Sequence, residues 1–237
     1  MEKDQKILIG LIIFVFLVAS SIIVYLFAIK KDISSDAILF KKEYEELNDK
    51  YYEASKDKFL KVKIESTNLY VYKSDEDILD VIENEDAIIY FGYAKCSYCR
   101  NIVGILNDVA KDKGIKKIYY VDISNIRDSY EIIDKTVAKI TNGTSSYYKL
   151  MEVLDDYLSD YYIKDSNGEK YNTGVKRLYA PTVAAIKDKK VIGFYEGPRN
   201  ETKHYKKLSE SKSEELRKTF EKIINDLNSD ICLTSGC

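Results

Sequence analysis

Residues 87–100, AIIYFGYAKCSYCR, decide the fold of this 237-residue chain. They begin with an apolar, β-branched and aromatic run, Ala87 to Phe91, which predicts a buried central strand. A CxxC pair of cysteines follows directly, and apolar residues then recur at helical spacing as far as Lys113-Gly114, where the glycine is expected to end a helix. A second apolar run occupies 118–121. The order strand, CxxC, helix, strand is typical of an α/β fold.

The cysteine pair, Cys96 and Cys99, has the spacing of a redox centre. When the first cysteine opens a helix, both side chains lie on one side of the first turn and can close a small disulfide. The free N–H groups of that turn, with Lys95 and Arg100 adjacent, favour the thiolate, so we expect a lowered pKa for Cys96. The hypothesis is that Cys96 forms a mixed disulfide with a partner and that the more buried Cys99 resolves it. Such exchange uses no metal and no organic cofactor.

A second pair, Cys232 and Cys237, leaves other interpretations open. It can form a small tail disulfide or a second redox pair that exchanges with Cys96. Together with Cys96 and Cys99 it can instead form a four-thiolate zinc site, which would make the chain a zinc-stabilised binding module. A zinc ribbon needs neither the buried strand before the CxxC pair nor the long helix after it. The sequence therefore favours redox chemistry without a metal.

A proline downstream is a second, independent signal. The sequence Ala180-Pro181-Thr182-Val183 places Pro181 at the entry to a predicted strand, where a cis peptide bond is tolerated. Taken alone, it is an ordinary strand-start proline. In combination with the CxxC pair it favours a redox site.

These segments resemble the thioredoxin superfamily. AIIYFGYAKCSYCR is similar to its strand and active-site segment, and YAPTVAAIKDKKVIGFYEG is similar to its cis-proline strand, hairpin and glycine. The resemblance covers about Phe59 to Leu227. The stalk FKKEYEELNDK, the CSYCR site, a long helical insertion and the hairpin SNGEKYNTG are similar to those of bacterial, membrane-anchored bacteriocin-accessory thioredoxin-like proteins.

The resemblance implies a thioredoxin-like α/β fold, with a central mixed sheet flanked by helices. It implies that Cys96 is the nucleophile and Cys99 the resolving thiol. It also implies that Pro181 follows a cis bond and that Ala180, Pro181 and Tyr98 contact an extended protein or peptide substrate. A redox partner protein would then renew the cysteine pair.

Three positions depart from the pattern of that superfamily. No Trp precedes the motif, and Lys95 stands directly before Cys96. The buried carboxylate expected six residues before the first cysteine is Tyr90 here, so the group that handles the proton of Cys99 is unassigned. The dipeptide Ser97-Tyr98 replaces the Gly-Pro of reducing thioredoxins, so the direction of electron flow is not inherited.

Residues 7–29 form an unbroken run without a charged residue. About 20 apolar residues are needed to cross a hydrocarbon core of about 30 Å, whereas the apolar region of a signal peptide is about 7 to 15 residues long. We therefore predict a short N-terminal tail, 1–6, and an uncleaved transmembrane helix, 7–29, with the lipid bilayer as a partner.

Two signals oppose each other on the orientation of this helix. More lysines follow it than precede it, which favours a cytosolic C-terminal domain. Paired cysteines fit an oxidising compartment, and a long C-terminal domain translocates largely regardless of charge. We predict a single-pass protein of the cell membrane with an extracytoplasmic C-terminal domain.

The rest of the chain divides into a stalk, one domain and a tail. Residues 30–58 are rich in charge and tyrosine, and Phe40, Tyr44 and Leu47 keep helical spacing, which predicts a stalk helix and loop that serve as a spacer. The thioredoxin-like domain is expected over 59–228, and the cysteine-containing tail over 229–237. The other predicted elements of the domain are short strands at 59–64 and 69–72, a capped helix at 74–82, two helices in an insertion at about 125–160, a hairpin at 161–174 with its turn at Asn167-Gly168, strands at 182–186 and 191–195, and a closing helix at 203–227.

The composition excludes one class of partner. The 37 Lys and Arg nearly cancel the 39 Asp and Glu, and a net charge of -2 gives no electrostatic case for nucleic-acid binding. Protein or peptide thiols and disulfides remain as substrates. In a last alternative, the protein has the same fold but catalyses no reaction. It would then be an adaptor that presents the groove at Pro181 to a partner.

Overall fold

Strands and helices alternate along most of the chain in the computed structural model, which describes residues 11, 13–21, 34–53, 55–197 and 206–228. The strands, in chain order, are β1 (Tyr70–Tyr72), β2 (Ala87–Gly92), β3 (Ile118–Asp122), β4 (Ser129–Ile133), β5 (Thr136–Thr141), β6 (Ser159–Lys164), β7 (Lys170–Arg177), β8 (Thr182–Lys187) and β9 (Lys190–Glu196). The helices are α1 (Ser35–Glu45), α2 (Asp77–Asn84), α3 (Ser97–Asp112), α4 (Ser145–Val153) and α5 (Glu210–Asn228), and a 3-10 turn spans Asp155–Tyr157.

Five strands form a mixed central sheet in the order β1-β3-β2-β8-β9. The first three are parallel, and β8 runs antiparallel to both β2 and β9. In this register Phe91 pairs with Thr182. Because β2 and β8 run in opposite directions, the residues just before β8 lie beside the loop that follows β2.

Helices cover both faces of the sheet. On β2, Ile88 and Tyr90 face a cluster built with α1, α3 and α5, whereas Ile89 and Phe91 face a cluster built with α2 and α4. Every residue of β2 is buried, which explains its continuous apolar sequence. The expected mixed sheet flanked by helices is confirmed.

The segment predicted as a spacer is part of the core. Phe40 and Tyr44 of α1 have no exposed surface, and the Phe40 ring stacks on Tyr70 of β1 with ring centroids 3.8 Å apart. Their spacing did predict the helix, but the described part of 30–58 packs against the domain and is not a separate spacer. The short strand predicted at 59–64 is absent, because those residues are irregular. Just before them, Tyr51 and Lys58 form an isolated antiparallel bridge.

The predicted helical insertion is wrong in its first half. Residues 129–141 form the β4–β5 hairpin, whose turn residues Asp134 and Lys135 both have positive φ angles of 49° and 62°. This is the backbone of a two-residue hairpin turn that matches strand twist. Only the second predicted helix exists, as α4.

Most other predicted elements are confirmed with small shifts. β2, α3, β3, β8 and β9 lie where expected, and Gly114 follows α3 with a φ of 77°. The β6–β7 hairpin turns at Asn167-Gly168. The closing helix begins at Glu210, later than predicted, and 198–205 lie outside the described residues.

Of the predicted transmembrane segment 7–29, the structure describes residues 11 and 13–21, which are helical and expose their large apolar side chains. Among the described residues, none of the helices has both the length and the apolar character needed to cross a bilayer. The predicted tail 229–237 lies outside the described residues.

Candidate active site

Cys96 occupies the N-cap of α3, at the end of the loop that leaves β2. Its backbone is extended, with φ -74° and ψ 119°, and its N–H donates to the Tyr93 carbonyl at 3.1 Å, which turns the chain into the helix. The Cys96 Sγ accepts the N–H of Cys99 at 3.2 Å. The predicted contact between the Cys96 sulfur and a free N–H group of the first helical turn is therefore observed.

The two thiols have pKa values shifted in opposite directions. Burial opposes ionisation of Cys96, but hydrogen bonds from the Cys99 thiol and from the N–H groups of Cys99 and Tyr98 outweigh it, and the pKa of Cys96 is lowered. Burial raises the pKa of Cys99 well above its ordinary value, and the adjacent Cys96 sulfur adds to the rise. Cys96 is thus the thiol that ionises first, and Cys99 is held as a thiol.

The proline strand faces these sulfurs. The Ala180–Pro181 bond is cis, and the Ala180 carbonyl oxygen lies 3.6 Å from the Cys96 Sγ. Gly197 closes this loop from behind, since its N–H donates to the Pro181 carbonyl at 2.8 Å. A Cβ at Gly197 would lie 2.7 Å from the proline ring, so a side chain there would displace Pro181.

Access to the sulfurs is unequal. Cys96 keeps 7% of its surface exposed, and Cys99 keeps none. Tyr93, Tyr98 and Ala180 are half-buried. The Cys96 sulfur is therefore the more accessible of the two.

No protein-family model matches this chain. A comparison with curated proteins gives no significant match either.

Arg100 has a structural role that the sequence did not predict. Its guanidinium is buried, and only 2% of the residue is exposed. It donates to the carbonyl oxygens of Leu60 at 2.7 Å, Tyr44 at 2.8 Å and Ala94 at 3.3 Å, and to the Asn48 side-chain oxygen at 2.7 Å. Arg100 therefore ties the segment around α1 to α3.

The cation that helps to lower the pKa of Cys96 is Arg127, which sequence reasoning missed. It lies between β3 and β4, at the start of the insertion, and its guanidinium stands 5.5 Å from the centre of the Tyr93 ring. No local motif marks this arginine. Only the path of the insertion brings it to the thiol.

A cavity of about 420 Å³ opens beside the loop before Cys96 and is lined by Glu43, Tyr93, Ala94, Lys95 and Asp122, among others. Burial raises the pKa of Glu43, although hydrogen bonds from Tyr72 and Tyr120 oppose the rise. The sequence did not predict Glu43 as a site residue, because the charged segment that contains it was interpreted as a stalk.

The second pair, Cys232 and Cys237, lies outside the described residues. Its predicted roles stay predictions. Within the ranges that the structure describes, no group of three or more His, Cys, Asp and Glu side chains is placed to hold a metal ion.

Proposed function

We propose that this protein is a thiol-disulfide oxidoreductase that exchanges protein or peptide disulfides through Cys96 and Cys99. The observation that carries the proposal is the pair of unequal sulfurs at one helix end: Cys96 is partly accessible with a lowered pKa, and Cys99 is fully buried with a raised one. A lowered pKa gives both a larger thiolate fraction and a better leaving group.

The exchange conserves atoms and electrons. The Cys96 thiolate attacks one sulfur of a substrate disulfide, a Cys96–substrate bond forms, and the other substrate sulfur leaves as a thiolate. Cys99 then attacks the Cys96 Sγ, the two protein sulfurs become a disulfide, and the second substrate sulfur leaves. The substrate is reduced and the protein is oxidised. The reverse sequence oxidises a dithiol substrate.

The architecture supports a thioredoxin-like assignment. The mixed central sheet flanked by helices, the CxxC pair between β2 and α3, and the cis-proline before β8 support it. The β4–β5 and β6–β7 hairpins and α4 are then additions between β3 and β8. The contact of Cys96 with the Ala180 carbonyl supports a role for Ala180 and Pro181 in holding an extended substrate.

We also propose where the protein is located and which partners it has. The apolar segment 7–29 would attach the protein to the cell membrane, with the redox domain on the extracytoplasmic side, where substrate disulfides persist. A redox partner protein would restore the working state of the cysteine pair after each turnover.

The test compares two variants of the full chain in mild detergent, both carrying Cys232→Ser and Cys237→Ser, so that only the CxxC pair can exchange. Each is mixed with a peptide that contains one disulfide, and covalent adducts are measured by mass spectrometry. Cys99→Ser should accumulate a mixed disulfide between Cys96 and the peptide, because the resolving thiol is missing. Cys96→Ser should form none.

Equal adducts in both variants, or none in either, would contradict the proposal. Metal analysis of the unmodified chain is the second check. One tightly held zinc per chain that protects all four cysteines from alkylation would favour the zinc-stabilised module instead.

A further inference from the structure

Disulfide exchange at this site places negative charge on Cys99 in either direction. When Cys99 resolves a mixed disulfide it attacks as a thiolate, and when the protein disulfide is opened at Cys96 it departs as one. Yet Cys99 has no exposed surface, and burial raises its pKa well above the ordinary value. Some buried group must therefore stabilise that charge.

Tyr90 occupies the position where the sequence resemblance led us to expect a carboxylate. It lies on β2 with no exposed surface, on the face of the sheet that packs against α3 and shares a cluster with Cys99. Its hydroxyl is close enough to the Cys99 sulfur to oppose the rise in the Cys99 pKa that burial causes, and Cys99 in turn raises the pKa of Tyr90. The backbone of Tyr93 also opposes the rise in the Cys99 pKa.

The hydroxyl of Tyr90 sits in a space made for it. Gly92 lies two residues further along β2, and a Cβ there would stand only 2.2 Å from the Tyr90 hydroxyl oxygen. On the other side, the Tyr44 hydroxyl of α1 lies 2.8 Å from the same oxygen, and Tyr44 is also fully buried. The space that Gly92 leaves by having no side chain and the hydrogen bond with Tyr44 together fix the position of this hydroxyl.

The surroundings of Cys99 and Tyr90 keep the Tyr90 hydroxyl protonated, so that it can donate a hydrogen bond. The neighbouring titratable groups are Cys96 and the tyrosines Tyr44, Tyr70, Tyr93 and Tyr120, and the charged side chains that act on members of this group include Glu43, Arg100, Asp108 and Arg127. Burial raises the pKa of Tyr90 and of Tyr44 well above the ordinary tyrosine value. Both hydroxyls therefore keep their protons near neutral pH.

We infer that the Tyr90 hydroxyl, held in place by Tyr44, is the hydrogen-bond donor that stabilises the Cys99 thiolate during thiol-disulfide exchange. The inference rests on the proposed function. In the resolving step the Cys99 proton passes to the departing substrate sulfur, the Cys96–Cys99 bond forms and the Cys96–substrate bond breaks. Tyr90 gives up no proton and is unchanged at the end.

Reaction with 5,5′-dithiobis(2-nitrobenzoic acid) separates the two sulfurs in one stopped-flow trace. The reduced full chain, with Cys232→Ser and Cys237→Ser, releases one thionitrobenzoate when Cys96 attacks and a second when Cys99 resolves the mixed disulfide. The first phase depends on reagent concentration, and the second does not. Both phases are followed at a series of pH values.

Tyr90→Phe should slow the second phase at least about tenfold and move its pH profile to higher pH by about one unit, since a lost hydrogen bond to a charged group is worth about that much. The first phase should change by less than about twofold. Tyr44→Phe should slow the second phase by about threefold, because the Tyr90 hydroxyl loses the partner that orients and polarises it.

Tyr70→Phe is the matched control. Tyr70 is equally buried in the same cluster, but its hydroxyl donates to the Val103 carbonyl at 2.7 Å. It should leave the pH profile of the second phase in place. A second phase that Tyr90→Phe leaves unchanged, or that Tyr70→Phe displaces equally, overturns the inference. If Tyr90→Phe does not fold, an unchanged second phase in Tyr44→Phe overturns it. Failure of Cys96 to react at all would instead overturn the proposed function.

Discussion

The replacement of Arg100 by methionine tests whether α3 and the segment around α1 form one structural unit. Methionine has a similar length and fills much of the same space, but it removes every hydrogen bond that the guanidinium donates. Asn48 keeps a second donor, since its side-chain oxygen also accepts the Val62 N–H at 3.0 Å. The carbonyl oxygens of Tyr44 and Leu60 lose their short contacts with Arg100.

Most of the expected cost comes from those two carbonyls, because the third carbonyl that Arg100 contacts, that of Ala94, lies farther away at 3.3 Å. Each buried acceptor left without a partner costs about 1 to 3 kcal/mol, so two cost about 4 kcal/mol. Removing the buried guanidinium itself offsets part of this, because burial of a charged group is unfavourable and lowers the pKa of Arg100. We expect Arg100→Met to lower the free energy of unfolding by about 3 kcal/mol.

Urea unfolding of the full chain in mild detergent, followed by circular dichroism, measures this change. Arg217→Met is the control. Among the described residues, the ion pair of Arg217 is a long surface contact of 3.5 Å with Asp112, so its loss should cost less than about 0.5 kcal/mol. Limited proteolysis between 50 and 60 should also become faster in Arg100→Met. A loss of stability no larger than that of the Arg217 control would refute the structural role given to Arg100.

Three further substitutions test the surroundings of the site. Arg127→Gln removes a positive charge that favours the Cys96 thiolate, so the pKa of Cys96 should rise and alkylation by iodoacetamide at pH 7 should slow by roughly two- to fivefold; an unmoved pH profile would contradict this. Burial raises the pKa of Glu43, and a carboxyl with a raised folded pKa loses its stabilising contribution as pH rises through that value. Glu43→Gln should therefore gain stability relative to the native chain in urea unfolding as pH increases from about 4 to about 7, whereas parallel curves would speak against it. Gly92→Ala should cost about 1 to 3 kcal/mol, because the new Cβ overlaps the Tyr90 hydroxyl, and native-like stability would show that the space is not as tight as described.

Local patterns predicted the elements that carry the cysteines. A strand buried on both faces is continuously apolar, and an amphipathic helix has apolar residues at helical spacing. The sequence therefore predicted both β2 and α3. The β4–β5 hairpin was not, because its turn residues Asp134 and Lys135 are not among the usual hairpin signals. The helix around Phe40 was predicted correctly, but its burial was not, because burial depends on what the rest of the chain brings against it.

The sequence by itself determined the CxxC spacing, the strand before it, the helix after it and the proline that opens β8. Tertiary structure alone decided which groups surround the sulfurs. Tyr44 is 46 positions from Tyr90, and the Ala180 carbonyl that touches Cys96 is 84 positions away. Hydrogen-bond donors, a charge from Arg127 and burial shift thiol pKa values through distances of a few ångströms. Such distances are fixed by the packing of helices on a sheet and leave no trace in the spacing of residues along the chain.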